Sequence, residues 1–150
     1  MSDGDPRIPL RVAPAAVVLY LGALALFLLN KLVVRPAVLS RDAPRWAEVF
    51  VLSMPNAVEA ILGTLVLAGL LVVLKLRRGG ALAAVPDLAL HGLATVLAAA
   101  YVVTQELNWH RLGGQNVYDP WDLAASTAGL LLALGFLVRF GVVVPEERSK

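Results

Sequence analysis

The chain has 150 residues, of which 59% are hydrophobic and only 16% charged. A soluble domain carries roughly 45–50% apolar and about 25% charged residues, and a chain this short buries only about 68–70% of its unfolded surface. Several helices that are apolar all round could not be hidden in it, so a soluble fold is excluded. The formal charge of +2 gives no footprint for nucleic acid, and the lack of cysteine removes disulfides, thiolate metal sites and cysteine nucleophiles.

A spanning helix needs about 20 mostly apolar residues. The N-terminal segment is polar, with Asp3, Asp5, Arg7 and Arg11. No small-residue cleavage site follows a short apolar region, so a retained first helix is expected rather than a signal peptide. That helix is expected over 15–34, ending among Asn30, Lys31 and Arg35. The polar run RPAVLSRDAPRWAE follows, with two prolines expected to end the helix and Trp46 at an interfacial position.

A second span is expected over 49–76, with Pro55 marking a kink or the true helix start. The run KLRRGG then forms a tight cationic turn. The third span is expected over 82–104 and leads into QELNWHRLGGQNVYDPWD, the longest interior loop. The fourth is expected over 121–144. The fold class is thus all-α, one membrane domain over 1–150 with four transmembrane helices.

With four spans, one side holds eight cations: Arg7, Arg11, Lys75, Arg77, Arg78, Arg139, Arg148 and Lys150. The other holds five: Lys31, Arg35, Arg41, Arg45 and Arg111. The excess points to both termini being cytoplasmic.

That topology gathers polar groups at one end. Asn56 and Glu59 near the start of the second span meet Glu106 at the end of the third, Arg111 in the loop, and Asp119 and Asp122 at the start of the fourth. Asn56, Glu59 and Gly63 share one helix face, as do Asp122, Ser126 and Gly129. Ala125, Gly129 and Ala133 form a small-residue stripe that admits another helix. An intramembrane carboxylate costs roughly 2.5–3.5 kcal/mol on insertion scales and normally faces a partner in the protein interior. For Glu59, Arg111 is the natural one. The structural alternative is equally simple: Asp119 caps the fourth helix, Pro120 suits its first turn, and Asp122 favours its positive end.

At the opposite end Asp87 and His91 are one turn apart on the third span, with Thr95 one turn further. The pair could relay protons or fix packing. A gap of about two apolar turns separates the stripe from Glu106, which argues against transport. No metal site or cofactor is expected, because His91 and His110 are far apart in sequence and no phosphate-cradling glycine loop is present.

The run TQELNWHRLGGQNVYDPWDLAASTAGLLLALGF resembles the signature region of VanZ-like membrane proteins. The positions that carry the likeness are Glu106, Arg111, Asp119, Asp122, Ala125 and Gly129. Gln105 and the run LSMPNAVEAILG at 52–63 are similar to elements of small bacterial proteins of this sort. Members are small polytopic proteins of the bacterial cytoplasmic membrane, and the name-giving branch is linked to glycopeptide (teicoplanin) resistance. The resemblance implies a location and an envelope context, not a reaction.

Three functional readings follow. The first is a non-enzymatic protein whose outer-side pocket, formed by Glu106, Arg111, Asp119 and Asp122 over a floor of Asn56 and Glu59, recognises an envelope lipid, a glycan precursor or a partner helix. The second is an assembly subunit in which these residues only pack helices. The third is a hydrolase or transferase acting on a lipid-linked substrate, with Asp119 and Asp122 as acid and base or as oxygen ligands to a divalent cation.

Overall fold

The computed structural model describes residues 10–107, 109 and 118–145. A short strand β1 (Leu10–Val12) leads into α1 (Pro14–Leu29), which continues through a π-helical turn (Asn30–Val34) into α2 (Arg35–Leu39). The long α3 (Arg45–Arg78) follows, then a 3₁₀ turn (Gly80–Ala84), α4 (Asp87–Glu106), α5 (Pro120–Phe140) and strand β2 (Val143–Pro145). Among the described residues four helical segments, Pro14–Leu39, Arg45–Arg78, Asp87–Glu106 and Pro120–Phe140, are long and apolar enough to cross a membrane. The protein is an all-α bundle of four such helices.

Their outer faces carry the apolar surface that lipid must cover. Val18, Leu32, Leu131 and Leu132 are all exposed, whereas Ala68, Ala94 and Ala133 are fully buried. This inverts the soluble pattern, as expected when lipid rather than water is the solvent and small residues let the helix backbones approach. α3 is the central helix, packing against α1, α4 and α5. At about 1.5 Å per residue, its 34 residues exceed a hydrocarbon core of about 30 Å, so α3 must tilt or extend into the interface.

The spans depart from the sequence expectations at four places. The first helix does not stop at Val34; it runs on to Leu39. Pro36 falls in the first turn of α2, directly after the widened π turn, where a missing N–H is accommodated by the altered ladder. Pro55 neither starts nor interrupts α3, which is helical from Arg45 to Arg78. Membrane helices tolerate proline where a neighbour re-satisfies the freed carbonyl, and here Asn30 does so. The third span starts at Asp87 rather than near Leu82, because Pro86 holds an extended conformation at the N-cap.

The fourth span ends at Phe140, where Gly141 adopts φ 67°, a left-handed value that stops the helix cheaply only at glycine. The chain then enters β2, which pairs antiparallel with β1, Leu10 opposite Pro145 and Val12 opposite Val143. The Ala13 N–H donates to the Val142 carbonyl at 2.9 Å, extending the clasp. Ala13 and Val142 belong to the same buried cluster as Val72, Leu90 and Leu137. The start of α1 and the end of α5 therefore lie together, at the end of the bundle that holds the turn between α3 and α4.

Candidate functional site

The opposite end of the bundle holds the polar residues. Glu106 is the last residue of α4 and is buried at 8% exposure. Its Oε1 accepts a hydrogen bond from the Asp119 N–H at 2.9 Å. Asp119 is the N-cap of α5, its Oδ1 accepting from the Trp121 N–H at 2.9 Å. One carboxylate thus satisfies the backbone just before α5 and the next satisfies its first turn, both placed where the positive helix end favours an anion. These bonds pin the end of α4 to the start of α5 across the loop. Asp122 sits in the first turn of α5, and its Oδ1 is buried without a hydrogen-bond partner among the described residues.

Beside this junction is a cavity of about 330 Å³ among α3, α4 and α5. Its polar lining is Asn56, Glu59, Gln105, Glu106 and Ser126. The remaining wall is apolar and includes Val66, Leu67, Ala98 and Val102. Asn56 and Glu59 face it from α3 because they are one helical turn apart. Gln105 and Glu106 arrive from the C-terminal turn of α4, and Ser126 from the second turn of α5. Glu59 is exposed, and among the described residues no hydrogen bond or close ion pair engages its carboxylate. Two further lining residues, Val66 and Tyr101, are exposed, so the cavity opens sideways on the lipid-facing surface of the bundle.

α5 crosses α3 closely. Gly129 of α5 rests on the backbone of Ala57 in α3, so that a Cβ at position 129 would collide with the Ala57 carbonyl. Gly129 and Ala133 are buried and Ala125 is partly so, which places the small-residue stripe against α3.

The structure therefore brings Asn56, Glu59 and Glu106 to one cavity and joins Glu106 to Asp119. Asp119 and Asp122 stand at the adjoining helix start but do not line the cavity. Arg111 lies outside the described residues, as do His110 and Gln115. Among the described residues no three of His, Asp and Glu converge as a metal-binding group.

At the other end, Asp87 is engaged by Lys75, whose Nζ donates to its Oδ1 at 2.7 Å. No hydrogen bond between Asp87 and His91 occurs among the described residues. His91 is buried, and its carbonyl accepts from the Thr95 hydroxyl at 2.9 Å.

Sequence reasoning missed one polar contact. Asn30 is almost completely buried, and its Nδ2 donates to the Val51 carbonyl at 2.9 Å, joining α1 to α3. The signal was available: a proline at position 55 frees the carbonyl four residues earlier, and an asparagine in an apolar span seeks such an acceptor.

No protein-family model matches the chain, and no curated protein or solved structure matches it either.

Proposed function

We propose that this chain is a non-enzymatic multi-pass protein of a bacterial cytoplasmic membrane, similar to the VanZ-like proteins, whose polar cavity recognises an envelope lipid, a glycan precursor or a partner helix. Both termini and the turn between α3 and α4 face the cytoplasm, which puts the cavity on the outer side. The observation that carries this reading is the convergence of Asn56, Glu59, Gln105 and Glu106 on one cavity at one end of the bundle. An intramembrane acid normally faces a partner or a cavity, and Glu59 keeps its carboxylate available there. Arg111, between α4 and α5 in sequence, is the cation that this reading assigns to a headgroup bearing both charges.

Reading the same residues as helix-packing groups only is favoured by one specific observation, the Glu106–Asp119 bond, which has a structural use of its own. That reading leaves Glu59 unexplained. Asp119 is a poor candidate for acid–base catalysis, because its carboxylate is committed to capping α5.

Photo-crosslinking in cells separates these readings. A benzophenone amino acid at Val66, which lines the cavity, is expected to trap a discrete lipid, precursor or protein adduct. The same probe at Val18, on the outer face of α1, is expected to trap only bulk lipid. Arg111→Ala is expected to weaken the specific adduct while the protein still inserts. Identical adducts from Val66 and Val18 would refute the recognition reading.

A further inference from the structure

The cavity is polar at one end and apolar along its depth. Val66 is seven residues beyond Glu59 on α3, and Ala98 eight before Glu106 on α4. At about 1.5 Å per residue the apolar wall therefore extends roughly 10–12 Å from the carboxylates toward the bilayer centre. Beyond Glu59 the stretch 60–74 of α3 carries no charge, and Glu106 is the last residue of α4. The polar mouth is thus at the level of lipid headgroups and the wall at the level of acyl chains. Exposed Val66 and Tyr101 leave a lateral way in from the membrane. A water-soluble ligand has no use for such an entrance, whereas a lipid can place its headgroup and part of one acyl chain in about 330 Å³ and leave the rest in the bilayer.

We infer that this cavity seats a phospholipid whose headgroup carries a primary ammonium, with the ammonium against Glu59 and an acyl chain along Val66, Leu67 and Ala98. The inference rests on the recognition reading above and names the ligand class for the same cavity.

Charge complementarity selects the amine. The charged groups of the lining are both carboxylates, Glu59 and Glu106, while Asn56, Gln105 and Ser126 can donate as well as accept, so an anionic headgroup without a cation would meet two acids at close range. A primary ammonium brings three donors, which Glu59, Asn56 and Gln105 can share. A trimethylated ammonium has the same charge but no N–H to donate, so its hold is weaker.

The test is native mass spectrometry of the full chain, released from detergent with equal amounts of phosphatidylethanolamine, phosphatidylcholine and phosphatidylglycerol of matched acyl chains. The wild type is expected to retain phosphatidylethanolamine roughly tenfold over phosphatidylglycerol, equivalent to about 1.4 kcal/mol, with phosphatidylcholine between them. Glu59→Gln should bring that ratio close to one. Gly63→Leu provides an independent variant, since Gly63 lines the cavity and an added Cβ meets nothing within 4 Å. It should fold and lose adducts of all three lipids. Retention of another lipid in preference, or equal retention unaffected by Glu59→Gln, overturns the ammonium inference but leaves the recognition reading standing. Absence of any adduct sensitive to Gly63→Leu, together with no specific crosslink at Val66, overturns both.

Discussion

Asn30 and Pro55 are complementary across two helices. Pro55 has no N–H to give the Val51 carbonyl, and the Asn30 side chain supplies that bond from the first span at 2.9 Å. An unpaired carbonyl in an apolar setting costs about 1–3 kcal/mol, which explains how α3 continues through a proline. The arrangement also accounts for an asparagine buried to 1% exposure in a largely apolar span.

Asn30→Ala should therefore destabilise the protein by about 1–3 kcal/mol. In a Pro55→Ala background residue 55 can donate to Val51, so the same substitution should cost less. A double-mutant cycle by thermal unfolding in detergent should give a coupling within about 0.5–3 kcal/mol. Strict additivity would mean that the two residues do not share the carbonyl.

Gly129→Ala is expected to lower the unfolding temperature, because its methyl group would run into the Ala57 backbone, which has no rotamer to relieve it. Overpacking of this kind costs about 1–3 kcal/mol. Gly135, on the same helix with nothing within 4 Å of an added Cβ, is the control, and Gly135→Ala should be neutral or slightly stabilising. Equal effects at the two positions would argue against the close α3–α5 crossing.

These two sites show how far the sequence could be read. Four spans were legible because lipid demands blocks of about 20 apolar residues, and such blocks survive without any knowledge of contacts. The ends were less legible. Pro36 and Pro55 break helices by local rules, yet one follows a π turn and the other is relieved by Asn30, and both remedies depend on neighbours. Gly141 is a recognisable stop, but the apolar Val142, Val143 and Val144 beyond it look like more span. Only pairing with Leu10–Val12, at the far end of the described chain, turns Val143–Pro145 into a strand. At the site, helical spacing placed Asn56 beside Glu59, and chain order placed Glu106 near Asp119. The split between cavity and cap was not readable, because it depends on which oxygen meets which N–H.

Glu106→Ala should release the end of α4 from the start of α5. A hydrogen bond to a charged acceptor contributes about 1.5–3 kcal/mol, and Glu106→Gln, which keeps an acceptor oxygen, should recover part of it. Trp121 is adjacent to the junction, and with Trp46 and Trp109 replaced by Phe it provides the fluorescence readout for unfolding of this end. Equal losses for Ala and Gln would show that charge, rather than the bond to the Asp119 N–H, is what matters.

The Lys75–Asp87 pair bridges the last turn of α3 and the first turn of α4 at 2.7 Å, with the Asp87 side chain 59% exposed. Each charge favours its own helix end, but a solvated pair contributes only about 0–1 kcal/mol. Asp87→Asn should accordingly have a small effect on unfolding that shrinks further in high salt. A loss of several kcal/mol would indicate a desolvated role that the exposure of Asp87 does not suggest.

The most direct test of the central claim, a recognition cavity open to the outer side, is sidedness measured with single cysteines in this cysteine-free chain. Ser40→Cys and Tyr118→Cys report the end of the bundle that holds the carboxylates, and Ala83→Cys the turn between α3 and α4. With a membrane-impermeant thiol reagent applied to intact cells, the account predicts labelling at positions 40 and 118 and none at 83 until the cells are opened. Labelling at 83 with protection of 40 and 118 would place Glu59 and Glu106 on the cytoplasmic side and contradict recognition of an outer-side envelope ligand.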